Sequence, residues 1–175
     1  MRFTLNQSVA EEKMDITSQK QHNTNFNQLI KSQKTLILST LTESSKPESS
    51  YAPYVTDEQG VFYIYVSELA AHTQNMLQNQ KASILFIQPE SEAKNLFARE
   101  RVIFDCTISE VQQQDECYYK QMLIMKEKFG ETVDLLQSLP DFHLLALTPI
   151  NGKYIAGFGK AFSINMDNNS LQFEN

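Results

Sequence analysis

Hydrophobic and polar positions change period several times along the chain, and each change marks an element. From Asn25 the spacing of Phe26, Leu29 and Ile30 predicts a helix, and at Thr35 it gives way to a β-branched apolar run of strand length, residues 35–41. Turn-forming residues 42–47 lead to a second extended stretch, 49–55. Its internal Pro53 lacks an amide donor and so predicts an edge position or a bulge. After a turn at 57–60, residues 61–66 are apolar on both faces apart from tyrosyl hydroxyls, as a strand packed on two sides would be. These runs predict an antiparallel meander.

Ser67 is placed to N-cap a helix carrying Leu69, Ala70, Met76 and Leu77, after which residues 82–87 return as a strand that stops before Pro89. Residues 102–111 alternate over much of their length, predicting a long strand with one buried face. Asp115 is placed to cap a helix with Cys117, Tyr118, Met122 and Met125 on its apolar side, and Gly130 supplies a left-handed stop. A short helix through Val133 and Leu136 follows. Residues 142–148 and 152–156 then flank a hairpin signal at Asn151-Gly152, a pair that readily takes positive φ. Glycines 152, 157 and 159 are three of the five in the chain, which predicts a bulge or a close backbone approach there.

The resulting fold class is mainly β with short helices (α+β). About six strands with only short helices between them predict a small closed antiparallel barrel, since closure removes exposed strand edges. Residues 1–24, polar and without an amphipathic stripe, are expected to form a flexible N-terminal arm, and residues 25–175 the single barrel domain. At 175 residues the chain is long enough for one domain with a real core. A formal charge of −6 argues against a nucleic-acid binder, which needs a basic face to displace counterions. It leaves room for a small anionic ligand in a locally basic pocket. Two cysteines make no disulfide framework, no window approaches a membrane span, and the first residues carry no apolar signal core, so the cytoplasm is the expected compartment.

Chemistry-bearing residues are few. Arg99 and Arg101, with Arg2, are the only arginines, and in an extended segment both would share one face. A planar five-donor guanidinium suits a carboxylate or phosphate; the competing explanation is a pair of solvated ion-pair partners at a strand end. His143 follows Asp141 by two residues, so a carboxylate could orient an imidazole or a bound water, unless the two residues only punctuate a turn. Phosphate loops, a His-Glu-x-x-His zinc motif and a Gly-x-Ser-x-Gly elbow are all absent from the sequence.

Several motifs carry a resemblance. Residues 65–75, followed by 82–86, resemble the cofactor-binding stretch of the pyridoxamine-5′-phosphate-oxidase-like flavoproteins, which are dimeric split β-barrels. Within that superfamily, Tyr51-Ala52-Pro53-Tyr54, residues 93–102, Phe129-Gly130-Glu131, Asp141-Phe142 and residues 157–162 resemble the haem-utilisation branch, the HutZ-like haem-degrading proteins. The resemblance implies a six-stranded antiparallel split barrel, a homodimer with ligand sites at the subunit interface, and haem as both cofactor and substrate. It implies oxygen- and reductant-dependent opening of the porphyrin, with a reductant or reductase as partner. Carried over by position, it implies Arg101 near the haem, His72 in the helix lining the site and Asp141 as the acidic residue supporting the axial ligand; Arg99 beside Arg101, and His143 beside Asp141 as a possible haem-iron ligand, are candidates from their own placement in the sequence.

Two departures qualify it. Where flavin-binding relatives follow the serine at position 67 with a basic pair that holds the flavin phosphate, this chain has Glu68 and Leu69, which disfavours FMN. Haem-degrading relatives carry their axial histidine in a C-terminal extension, and no histidine follows His143 up to Asn175, so haem is expected to bind more weakly than in those relatives. The alternatives are an FMN-dependent oxidoreductase and a haem carrier without turnover.

Overall fold

The computed structural model describes residues 3–168 and 170–173, with side chains from Ser18 onward. Arg2 and the C-terminal Asn175 lie outside the described residues. Helix α1 spans Phe3–Ser32 and runs without a break through positions 24 and 25, where the sequence suggested a boundary. Its last turns hold Phe26 and Leu29 in the core, as their spacing predicts.

Nine antiparallel strands follow: β1 (Thr35–Leu41), β2 (Pro47–Pro53), β3 (Val55–Thr56), β4 (Phe62–Ser67), β5 (Lys81–Ile87), β6 (Arg101–Val111), β7 (Phe142–Gly157), β8 (Lys160–Ile164) and β9 (Leu171–Phe173). Helix α2 (Ala71–Asn79) links β4 to β5, and α3 (Glu116–Phe129) with α4 (Thr132–Gln137) links β6 to β7. The sheet order is β2-β1-β5-β6-β7-β4-β3, with β8 and β9 added beside β7. A simple meander would have left β4 next to β2. Instead β4 pairs with β7, from Phe62↔Leu147 to Ser67↔Phe142, and α2 carries the chain back to β5. This contact joins segments about 80 residues apart, so local periodicity carries no trace of it.

The barrel is not closed by hydrogen bonds among the described residues, since β2 and β3 stand at the two ends of the order. Covalent continuity joins those ends through Tyr54, which is buried and donates its hydroxyl to the Ile30 carbonyl at 2.6 Å. Pro53 accordingly sits on an edge strand, where its missing donor costs nothing. Inside, Phe62 packs against Tyr54, Phe86 and Phe104 with ring centroids 5.5–5.7 Å apart. On the other side of β4 and β7, Tyr63, Tyr65, Leu144 and Ala146 pack against Met122 and Met125 of α3 and Val133 of α4. That explains why β4 is apolar on both faces.

Three local expectations need correction. Asn151-Gly152 makes no hairpin: β7 continues through it, and the register slips by one residue where Asp105↔Asn151 is followed by Cys106↔Pro149. Gly152 is there for closeness, because a Cβ would lie 2.8 Å from Phe104 Cδ1 and 2.9 Å from Ile164 Cδ1. The tight turn falls later, at the β7–β8 junction, where Gly157 (φ 140°) and Gly159 (φ 64°) take the positive values. Ser67 does not cap α2, which starts four residues later behind Ala70. Asp115 stands at the N-cap of α3, but its carboxylate turns back to accept the Gln112 amide at 3.2 Å.

Candidate functional site

The long strands β6 and β7 place the sequence-predicted residues at two separate ends. Arg101 opens β6 opposite Ile155, near the end of β7. Val111 closes β6 opposite Leu144, one residue beyond His143. Ten residue steps at the rise of a strand separate these ends by about 30 Å along β6.

At the first end the two arginines differ. Arg99 donates Nε and Nη2 to the Gln88 carbonyl at 2.8 and 2.5 Å, and its Nη1 reaches Glu90 Oε1 at 3.3 Å. Its fork is occupied in tying the 88–99 connection shut. Arg101 lies on the outer face of β6, with only a 3.4 Å contact from Nη1 to the Arg99 carbonyl and no carboxylate partner among the described residues. Phe97, in the turn leading into β6, is 89% exposed, and Phe158, at the tip of the β7–β8 turn, is 69% exposed. A guanidinium with no carboxylate partner among the described residues, preceded in the chain by the exposed Phe97 and with the exposed Phe158 just beyond the β7 residue it pairs with, suits a planar ligand with apolar faces and anionic edges. Phe158 also lines a cavity of about 470 Å³ with His22, Lys160, Phe162 and Phe173. His22 packs on Phe162 at 4.9 Å, and its buried Nδ1 has no hydrogen-bond partner among the described residues. Its isolation in the sequence gave no sign of this placement.

At the second end, Asp141 accepts a short hydrogen bond from the Ser67 hydroxyl, and its carbonyl accepts the Glu68 amide at 2.8 Å. His143 Nε2 meets Glu68 Oε1 at 2.7 Å and Nδ1 meets Glu110 Oε1 at 2.5 Å. Burial pulls the His143 pKa down, but the hydrogen bonds and charges of Glu110 and Glu68 outweigh it and hold the pKa above the ordinary value. Both ring nitrogens are therefore engaged, and an iron ligand at this position would have to give up one of these bonds. His72, in the first turn of α2, is half-buried; burial lowers its pKa while the Glu48 carboxylate works in the opposite direction. The structure brings Asp141 and His143 to one end of the sheet, and Arg99 and Arg101 to the other. Ser67 and Glu110 were not singled out by the sequence for this cluster, because their partners lie 74 and 33 residues away.

Fold and strand order define this as an antiparallel split-barrel protein of the pyridoxamine-phosphate-oxidase type. Residues 23–156 match the family model described as pyridoxamine 5′-phosphate oxidase, and the chain belongs to that family. It is 40% identical over 134 residues to the heme oxygenase HutZ of Vibrio cholerae, covering 77% of this chain and 76% of that one. The crystal structure of HutZ, there described as a heme storage protein, superposes with a TM-score of 0.70 at 36% identity over 76% of this chain and 92% of that one. ChuZ of Campylobacter jejuni superposes with a TM-score of 0.76 at 27% identity over 87% of this chain; this chain spans 61% of ChuZ. HutZ is thus described both as a heme oxygenase and as a heme storage protein. No helix of the described residues is long and apolar enough to cross a membrane.

Proposed function

We propose that the protein binds haem and degrades it in haem iron utilisation, with haem as the substrate and oxygen and an external reductant or reductase as co-reactants. The observation that carries this reading is the 40% identity to a heme oxygenase over 134 residues, joined to an Arg101 guanidinium that no carboxylate among the described residues neutralises. Haem supplies the iron at which oxygen is activated. The chain's own residues bind and orient it. Arg101 pairs with a propionate, Phe97 and Phe158 cover apolar edges of the porphyrin, and Asp141 holds a hydrogen bond to a ligand or water through the oxygen that Ser67 does not occupy. Arg99 contributes by fixing the segment that carries Arg101.

Because Arg101 and Asp141 stand about 30 Å apart along the strands, one chain cannot bring both to one haem. The reading therefore includes a homodimer. Across the outer face of the sheet, Tyr51, Ile37, Leu85 and Ile103 fall in register as one row, with Tyr51 67% and Ile37 39% exposed. Such an apolar row is a self-complementary contact, and a twofold axis running across the strands sets the Arg101 end of one protomer against the Asp141 and His72 end of its partner. Sedimentation at micromolar concentration is expected to give a dimer, with Ile37→Glu shifting it toward monomer; a clean monomer for the parent chain would refute the shared site. For haem itself, titration of the purified protein is expected to produce a saturable Soret band at one haem per protomer. Stoichiometric uptake of FMN with no haem binding would instead select the flavin oxidoreductase alternative. Haem uptake without turnover in the presence of oxygen and ascorbate would select the carrier.

A further inference from the structure

We propose that Glu68, His143 and Glu110 form an acidic latch that closes the N-terminus of α2 to phosphate and thereby sets this chain's preference against phosphorylated flavin. The inference deepens the haem reading, and its test reads a different ligand. Helix α2 begins behind Ala70, which is extended and offers no side-chain cap, and its first turn contains no acidic residue. Amides at such an end lack intrahelical acceptors and attract an anion when the approach is open. Here the turn that leads into the helix is fastened to the start of β7. The turn from Ser67 to Ala70 is closed internally by the Ala70 amide on the Ser67 carbonyl at 3.1 Å and is bonded to residues 141 and 143 through Ser67 and Glu68. Ser67 Oγ donates to Asp141 and accepts the Leu69 amide at 3.1 Å, the Glu68 amide donates to the Asp141 carbonyl at 2.8 Å, and the Glu68 carboxylate lies on His143 Nε2 at 2.7 Å.

His143 is a positioning residue in this device. Only the imidazolium has two N–H donors, so His143 satisfies Glu68 and Glu110 together when it is protonated, and it stands 2.5 Å from the latter. Two carboxylates, Glu68 and Glu110, meet the one imidazole, and a third, Asp141, is held on the Ser67 hydroxyl, so acidic groups outnumber basic ones in this cluster. Repulsion between like charges at a few ångströms opposes the entry of a phosphate. The hydroxyl that would otherwise donate to the phosphate, Ser67, is already committed to Asp141. Glu68 thus works as part of a fixed assembly drawn from β4, β6 and β7, and not as a lone surface charge.

The test compares FMN with riboflavin, which lacks only the phosphate, by fluorescence titration of the full chain. The parent is expected to bind FMN no more tightly than riboflavin. Glu68→Arg is expected to raise FMN affinity at least tenfold while riboflavin affinity stays the same, and Glu68→Gln to raise it less. Imidazole NMR provides the second readout: His143 should titrate above the ordinary histidine range in the parent, and its pKa should fall in Glu68→Gln. A parent that already prefers FMN over riboflavin tenfold, or a Glu68→Arg chain with an unchanged FMN-to-riboflavin ratio, overturns the proposal. So does a His143 titration indifferent to Glu68→Gln. Absence of a Soret band on haem addition would sink the haem reading alone, since neither of these readouts uses haem.

Discussion

Replacing Phe86 by Ala is expected to cost about 3–5 kcal/mol of folding stability, the range for a large aromatic side chain removed from a packed core. Phe86 is fully buried in the middle of the barrel, with ring centroids 5.2 Å from Tyr54 and 5.5 Å from Phe62. Its neighbours come from β4 and from the corner between β2 and β3, where the two ends of the sheet meet without hydrogen bonds. Aromatic packing holds that corner together with the hydrogen bonds of Tyr54 to Ile30 and Lys128, and no strand is free to slide into the cavity left by truncation. Urea unfolding at one fixed protein concentration should show the loss as a lower midpoint with a similar slope. Phe97→Ala is the control, since a side chain 89% exposed should change stability by no more than about 0.5 kcal/mol. A Phe86→Ala loss of under about 1 kcal/mol would mean that the corner is held by something other than the core.

The same corner shows what the sequence could convey. Local patterns predicted β1, β4, β5 and β6 because each rests on alternation or apolar runs that neighbouring residues impose on one another. Gly130 ends α3 at the predicted position, but with φ 75° and ψ −157° it is extended on the positive-φ side and not the left-handed helical stop expected. Where a residue's role depends on a distant partner, the pattern misled. Asn151-Gly152 has the composition of a type I′ turn, yet its glycine answers to Phe104 and Ile164 pressing from adjoining strands. Ser67 has the composition of an N-cap, yet its hydroxyl is taken by Asp141 74 residues later. The two arginines looked equivalent at spacing i, i+2. Only the fold of the 88–99 connection, which hands the Gln88 carbonyl and Glu90 to Arg99, separates a fastened guanidinium from a free one. The position of Asp141 far from Arg101 was equally invisible, because strand pairing and not sequence distance determines which ends of β6 and β7 meet.

Arg101→Ala is expected to weaken haem binding about ten- to a hundredfold, corresponding to the loss of a charge-assisted hydrogen bond worth roughly 1.5–3 kcal/mol. The expectation follows from the state of the side chain. Arg101 has no carboxylate partner among the described residues and makes only a 3.4 Å contact with the Arg99 carbonyl, so its attraction for a propionate is not offset by an ion pair that must first be broken. Arg99 is the internal comparison. Its bonds to Gln88 and Glu90 are intramolecular, so Arg99→Ala should lower thermal stability by loosening the 88–99 connection while changing haem affinity less than Arg101→Ala does. Arg101→Lys should fall between the alanine variant and the parent, because the ammonium keeps the charge but loses the planar fork that grips both carboxylate oxygens. Soret titrations of the three variants, with far-ultraviolet circular dichroism confirming that each is folded, separate these outcomes. Parent-like haem affinity in Arg101→Ala would place the propionates elsewhere and leave Arg101 as a solvated strand-end charge; a larger loss in Arg99→Ala would exchange the roles assigned to the two arginines.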